Sequence, residues 1–256
     1  MPNSTVYNTI LTAKREGKKK FVVLIDPDKI KMNNIDRILH LAQMAQIDYF
    51  FVGGSLVVST MLEQSIEAIR TVSNAPVVLF PGDISQISPN ADAILYLSLI
   101  SGRNPEFLIG KHVVAAPMLK KSKLEILSTG YMLIDGGRMT TATYMSGTLP
   151  IPSDKNEIAV CTAMAGEMLG MKLIYMDAGS GAQHPISDSM IRAVSQAIEI
   201  PLIVGGGIRT PEKVQSNFSA GADIVVVGNA LEKDPSLLIE MAEAAYETTS
   251  KSLLHI

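Results

Sequence analysis

Residues 201–229 read PLIVGGGIRTPEKVQSNFSAGADIVVVGN. An apolar run at 201–204 meets Gly205, Gly206 and Gly207. A helical segment follows, opened by Thr210, Pro211 and Glu212, and a second apolar run at 224–227 ends in Gly228 and Asn229. Two buried-type strands, each ending in a glycine turn and joined by one helix, make a βαβ unit. Near the end of a 256-residue chain, this unit predicts strands seven and eight of a (β/α)8 TIM barrel, a fold of about 250 residues. The loops after those two strands frequently hold a phosphate in such barrels, so the stretch bears on chemistry as well as on fold.

The rest of the chain supplies the other strands. Apolar runs at 21–25, 49–52, 76–80, 93–97, 130–134 and 172–176 read as strands one to six. Helical spacing falls at 6–15, 34–46, 59–72, 104–111, 157–169, 187–198 and 234–246. Residues 113–127 fit neither period, and 139–152 are rich in Thr, Ser, Gly and Pro, as in a lid or rim. No compositional linker interrupts the chain, so a single domain over 1–256 is expected.

One repeat is defective. Only residues 81–92 separate strands three and four, and they hold two prolines, a glycine and several Ser, Asn and Asp residues. A crossover with its helix needs at least about 10–12 residues of suitable composition. The third helix is therefore expected to be missing or replaced by a loop.

Composition narrows the function. Hydrophobic residues make 47% of the chain and the formal charge is -3, without the basic excess of a nucleic-acid surface. The only cysteine, Cys161, excludes an internal disulfide and fits a reducing cytoplasmic setting. The polar start MPNSTVYNTILTAKREGKKK holds no signal-peptide core, and no apolar run is long enough to span a membrane.

In a parallel barrel the C-terminal ends of the strands share one face, where activity resides. That face collects Asp26, Asp28 and Lys29 from strand one, and Gly53, Gly54 and Ser55 from strand two. Ser98 and Arg103 follow strand four, Asp135 and Arg138 strand five, and Asp177, Gly179 and Ser180 strand six. Glycine-bearing ends on strands six, seven and eight let backbone N–H groups approach a phosphate, although tight turns alone also use glycine. Asp26 either caps the next helix or, with the hydroxyl of Ser55, offers the hard oxygen ligands that Mg2+ prefers. Asp177 is placed to orient or deprotonate a substrate hydroxyl. Tyr175, two residues earlier, shares its side of the strand. The four histidines (His40, His112, His184 and His255) show no metal-site spacing and read as structural. Phe50, Leu79, Tyr96 and Leu99 are candidates to border an apolar channel beside the uncovered side.

The ordered set FVVLIDPDK, YFFVGGS, YMDAGSGA, VGGGIRTPE and ADIVVVGNALEKDP, from Phe21 to Pro235, resembles the geranylgeranylglyceryl phosphate synthase family, which includes the heptaprenylglyceryl phosphate synthases. The resemblance implies a modified (β/α)8 barrel with its third helix replaced. The implied reaction transfers a geranylgeranyl group from its diphosphate to the C3 hydroxyl of sn-glycerol 1-phosphate. Family Mg2+ ligands fall on Asp26 and Ser55. The glycerol phosphate site falls on Tyr175, Met176, Asp177, Ala178, Gly179, Ser180 and Gly181, on Gly206 and Gly207, and on Gly228 and Asn229. Family members often carry Glu or Thr where this chain has Asp177 or Ser55, and both changes keep the oxygen. The resemblance also implies a homo-oligomer, dimer or hexamer, and a lipid substrate is compatible with peripheral membrane contact. A heptaprenyl-length donor, another phosphate-binding barrel enzyme such as an isomerase or aldolase, and a non-catalytic phosphate-metabolite binder remain the alternatives.

Overall fold

A computed structural model describes residues 5–29, 32–58 and 61–253. Eight parallel strands close into one barrel in sequence order: β1 (Lys20–Ile25), β2 (Tyr49–Val52), β3 (Val77–Leu79), β4 (Ala93–Leu99), β5 (Glu125–Leu133), β6 (Leu173–Asp177), β7 (Leu202–Gly205) and β8 (Ile224–Val227). β8 returns to β1 with Val226 opposite Val22.

Side chains on a strand alternate between faces, and this sorts the core into two layers. Phe21, Val23 and Ile25 of β1 and Ile174 and Met176 of β6 pack outward against the helices. Val22, Leu173 and Tyr175 pack inside the barrel. The same parity turns Asp26 and Asp177 inward at the strand ends.

Ten helices cover or close the barrel among the described residues. α1 (Val6–Arg15) lies at the N-terminal end, where Val6 and Ile10 join the interior cluster. The Glu125 carboxylate accepts the Val6 and Tyr7 amides at 2.6 and 3.2 Å, the favourable sign of charge at a helix N-terminus. α2 (Met32–Met44), α3 (Met61–Val72), α4 (Lys111–Lys121), α5 (Thr141–Ser146) and α6 (Asn156–Met168) follow in order. α7 (Asp188–Ala197), α8 (Pro211–Ser219), α9 (Asn229–Lys233) and α10 (Leu237–Leu253) complete the set. Ser187 and Thr210 cap α7 and α8 through the Met190 and Lys213 amides.

Between β3 and β4 the chain makes only a three-residue 3-10 turn, Ile84–Gln86. Its buried Gln86 substitutes for helix packing. Nε2 donates to the Gly54 carbonyl at 2.9 Å, and Oε1 accepts from the Gly54 and Gly82 amides at 3.2 and 3.3 Å. The turn is thus bonded to the loops after β2 and β3.

Three segments differ from the sequence pattern. Residues 113–127 divide between α4, which carries Pro117 inside it and continues from a π-helical turn at Glu106–Gly110, and β5, which begins at Glu125. The loop at 139–152 contains α5, capped by Thr140 and ended by Gly147 at φ 61°. The helix expected at 234–246 starts later and runs further, as α10 from Leu237 to Leu253, because Asp234 Oδ1 accepts the Ser236 amide at 3.0 Å and holds 234–236 in a turn. α9 ends and α10 begins around that turn.

Candidate active site

The C-terminal ends of β6, β7, β8, β1 and β2 surround a cavity of about 360 Å³. The loop after β6 carries Gly179 and Gly181 at φ 87° and 78°, and the loop after β7 carries Gly206 and Gly207 at 83° and 71°. At Gly206 a Cβ would stand 2.5 Å from Asp177 Oδ1 and 2.6 Å from the Ala178 and Gly179 nitrogens. Glycine is thus required there for both conformation and space. Among the described residues, the amides of Ser180, Gly181, Gly206 and Gly207 donate to no protein acceptor. Amides of cavity-lining residues without protein partners suit a small polyoxyanion. Asn229 Nδ2 and Lys29 Nζ add donors, both on Ser180 Oγ at 3.3 and 3.1 Å.

Asp177 lies beneath these loops with 7% of its surface exposed. Tyr131 donates its hydroxyl to Asp177 Oδ2 at 2.7 Å, and the Gly179 amide donates to Oδ1 at 2.6 Å. Burial pushes the Asp177 carboxyl above its usual range, and these two bonds oppose the shift. Burial, and then the Asp177 charge, hold Tyr131 and Tyr175 well above the ordinary phenol value. Both are therefore neutral donors. Tyr175 stacks on Phe80 at 5.1 Å and meets Tyr131 edge-on at 5.5 Å. Three aromatic rings thus cluster beside one buried carboxylate.

Across the cavity Asp26 is 5% exposed. Lys29 Nζ sits 2.5 Å from its Oδ2, and the Asp28 amide donates to its Oδ1 at 3.1 Å. The Gly54 backbone abuts the same carboxylate, since a Cβ there would stand 3.0 Å from Oδ2. Ser55 follows directly and lines the same cavity. The donor set is oxygen only, and Lys29 already occupies a cation's place on the carboxylate. Among the described residues no cluster of three or more His, Cys, Asp or Glu could hold a metal alone. One carboxylate and one hydroxyl fit a Mg2+ ion that takes its other oxygens from ligand and water. Glu232, also on this wall, is pushed up to about 7 by burial, with Lys29 opposing and Asp26 adding to the rise.

A second, apolar channel of about 120 Å³ runs between β4, the 3-10 turn and α4, on the side that lacks a helix. Ile84, Ile87, Leu97, Phe107, Ala115 and Leu119 are among its walls. It shares Gly54, Ser55 and Phe80 with the polar cavity, and Tyr131 stands in its wall. His112 lines it too, with a buried Nδ1 that has no protein partner and a basicity lowered by burial. The ring packs edge-on against Tyr96 at 4.3 Å.

The structure brings together Asp26, Ser55, Tyr175, Asp177, Gly179, Ser180, Gly181, Gly206, Gly207, Gly228 and Asn229 around the polar cavity. Met176 and Ala178 are not among its walls. Strand parity turns both into the helix-facing layer, and the Ala178 amide already donates to the Gly205 carbonyl at 3.2 Å. Phe50 and Leu79 also face the helices, whereas Tyr96 and Leu99 line the channel. Ser98 donates to the Leu108 carbonyl, Arg103 to carbonyls of its own loop, and Asp135 accepts the Gly137 amide. These three and Arg138 line neither cavity. His255 lies outside the described residues. Tyr131, Gln86 and the position of His112 were not visible in the motifs, and Glu232 lay inside one of them without being singled out. The one available signal was parity, which sets Tyr131 inward on β5.

Residues 14–249 match the PcrB family. A geranylgeranylglyceryl phosphate synthase from Chitinophaga pinensis is 56% identical over 244 residues, 95% of this chain and 97% of that protein. One from Spirosoma linguale is 53% identical over 91% of this chain and 94% of its own. In structure, the (S)-3-O-geranylgeranylglyceryl phosphate synthase of Thermoplasma acidophilum, solved in complex with its substrate sn-glycerol-1-phosphate, superposes with a TM-score of 0.89. It is 34% identical, with 95% of this chain and 99% of that one covered.

Proposed function

The chain belongs to the PcrB family, and from that premise we infer that it is a geranylgeranylglyceryl phosphate synthase. It transfers the geranylgeranyl group of geranylgeranyl diphosphate to the C3 hydroxyl of sn-glycerol 1-phosphate, releases diphosphate, and serves ether phospholipid synthesis. The observation that carries this reading is the meeting of a polar cradle and an apolar channel at Phe80, Gly54 and Ser55, with Asp177 and Tyr131 beside the junction. A hydrophilic acceptor and a long apolar donor need that pair of spaces. An isomerase or aldolase acting on one small phosphate needs only the first.

The phosphate of the acceptor takes the amides of Ser180, Gly181, Gly206 and Gly207, with Asn229 beside them. Asp177 accepts the hydrogen bond of the C3 hydroxyl and then its proton, as the glycerol oxygen bonds to C1 of the prenyl chain and the C1–diphosphate bond breaks. Burial favours this role, because a carboxyl raised above its usual range is a better base than a solvated one. Tyr131 and Gly179 hold the carboxylate in place. Phe80 and Tyr131 line the channel beside the junction, and aromatic rings there favour the positive character that builds on the allylic carbon. Asp26 and Ser55 are the residues that would hold Mg2+, which would supply charge neutralisation for the leaving diphosphate. Lys29 adds a positive charge on the same side.

No helix among the described residues is long and apolar enough to cross a membrane, and the enzyme acts from the cytoplasm. It works as a homo-oligomer, dimer or hexamer. The exposed Val113, Val114 and Met118 of α4 support such an association. The test is product formation from labelled sn-glycerol 1-phosphate and geranylgeranyl diphosphate with Mg2+. The reading predicts a labelled ether lipid. Folded protein that binds the glycerol phosphate and yields no product would overturn it.

A further inference from the structure

Exposed apolar side chains rim the place where cavity and channel open. Val58, in the loop after β2, is 80% exposed, and Met139, Tyr144 and Leu149, on and beside α5, are 70%, 75% and 86% exposed. None of the four lines either cavity. Neither core packing nor substrate contact accounts for them.

α5 itself is held firmly. Asn104 Nδ2 donates to the Ser146 carbonyl at 2.7 Å, Thr148 packs against Gly102, and Thr140 packs against Gly179. Its Thr141 walls the polar cavity, and Ala142 and Met145 wall the channel. Met145 is also half exposed, so the apolar surface passes from channel wall to solvent through this residue. On the facing loop Leu56 does the same for the polar cavity.

Two arginines on this rim are available to anionic groups. Arg138 and Arg103 are exposed and have no ion-pair partner among the described residues. Of the neighbouring acids, Asp154 pairs with Lys155 at 3.4 Å, while Asp28 and Asp135 accept the Val58 and Gly137 amides at 2.7 and 2.9 Å and keep their charge. Tyrosine beside aliphatic and methionine side chains, flanked by arginine, is the composition that settles at the headgroup level of a bilayer.

We propose that this rim docks on the surface of a lipid bilayer bearing anionic headgroups. Val58, Met139, Tyr144 and Leu149 enter the headgroup–acyl boundary. The channel mouth then faces the apolar phase from which a prenyl donor comes and into which an ether lipid leaves. The proposal rests on the prenyltransferase reading above.

The test is flotation of the full chain with vesicles of phosphatidylcholine and phosphatidylglycerol, for the wild type and for Tyr144→Ser combined with Leu149→Ser. The wild type floats with the vesicles, and the double variant loses about tenfold or more of its partitioning. Its kcat/KM with a short, soluble allylic diphosphate, without vesicles, stays unchanged. A wild type that remains in the aqueous layer, or a variant that floats equally well, overturns the proposal. So does a wild type that ignores vesicles while the variant sediments as a smaller assembly, which would assign the rim to a second copy of the chain. Absence of product in the vesicle-free assay counts against the transferase reading and leaves the flotation result to be read by itself.

Discussion

The Tyr131 hydroxyl donates to Asp177 Oδ2 at 2.7 Å, within a barrel interior where both residues are buried. This bond keeps a carboxylate fixed and oriented in a place that disfavours its charge. Burial of that carboxylate makes activity and stability pull in opposite directions. In Asp177→Asn the amide oxygen still accepts from Tyr131, but the proton acceptor is gone. We expect kcat/KM to fall about 100- to 10,000-fold, the usual worth of a positioned base, with glycerol phosphate binding retained.

The same variant carries a pH signature. The folded-state Asp177 carboxyl is raised by burial. Its contribution to stability is therefore fully present below the unfolded carboxyl value, near 3.9, and is lost as pH rises through the folded value. Asparagine does not titrate. Thermal unfolding should show Asp177→Asn gaining on the wild type as pH rises from about 4 to 8. A gap that is flat with pH would contradict the burial argument.

Gly206→Ala should disable the cradle. The new Cβ would stand 2.5 Å from Asp177 Oδ1, on a residue at φ 83°. The left-handed conformation alone costs about 1–2 kcal/mol for a side chain. Calorimetric titration with sn-glycerol 1-phosphate should show binding weakened about 100-fold or more, since phosphate amides and carboxylate move together. Near-normal binding would mean that the phosphate sits elsewhere.

Asp26→Asn and Ser55→Ala test the metal assignment. Both should raise the Mg2+ concentration needed for half-maximal rate, Asp26→Asn the more because it removes the charged ligand. Chelation should abolish turnover while leaving glycerol phosphate binding intact. Full activity in chelator would remove Mg2+ from the account.

Gln86→Leu should loosen the side without a helix. Three hydrogen bonds to Gly54 and Gly82 are lost, and the backbone groups they satisfied are half-buried between loops. Denaturant titration should show a loss of about 1–3 kcal/mol. Activity should fall further than folding alone explains, because Gly54 leads into Ser55 and abuts Asp26.

The barrel and its cradle were legible because their signals are local. Glycine runs mark where the backbone needs positive φ, and a period of two sorts each strand's faces, as at Tyr175 and Asp177. Met176 and Ala178 were included as part of a contiguous motif, against that same parity. What was not legible is long-range. Tyr131 lies 46 residues from Asp177, and Gln86 lies 32 from Gly54. No spacing rule connects such pairs. α4 was obscured by Pro117. α5 had its signals in view, in Thr140 as cap and Gly147 as stop, within a stretch whose polar composition reads as loop.

The account turns on two ligands meeting at Asp177, and one measurement tests that directly: a crystal structure with sn-glycerol 1-phosphate and a non-hydrolysable geranylgeranyl thiodiphosphate bound together. The account predicts the phosphate on the amides of Ser180, Gly181, Gly206 and Gly207. It predicts the C3 hydroxyl about 3 Å from Asp177 and the prenyl chain in the channel between β4, the 3-10 turn and α4. A prenyl chain lying outside that channel, or a C3 hydroxyl out of reach of Asp177, would contradict it.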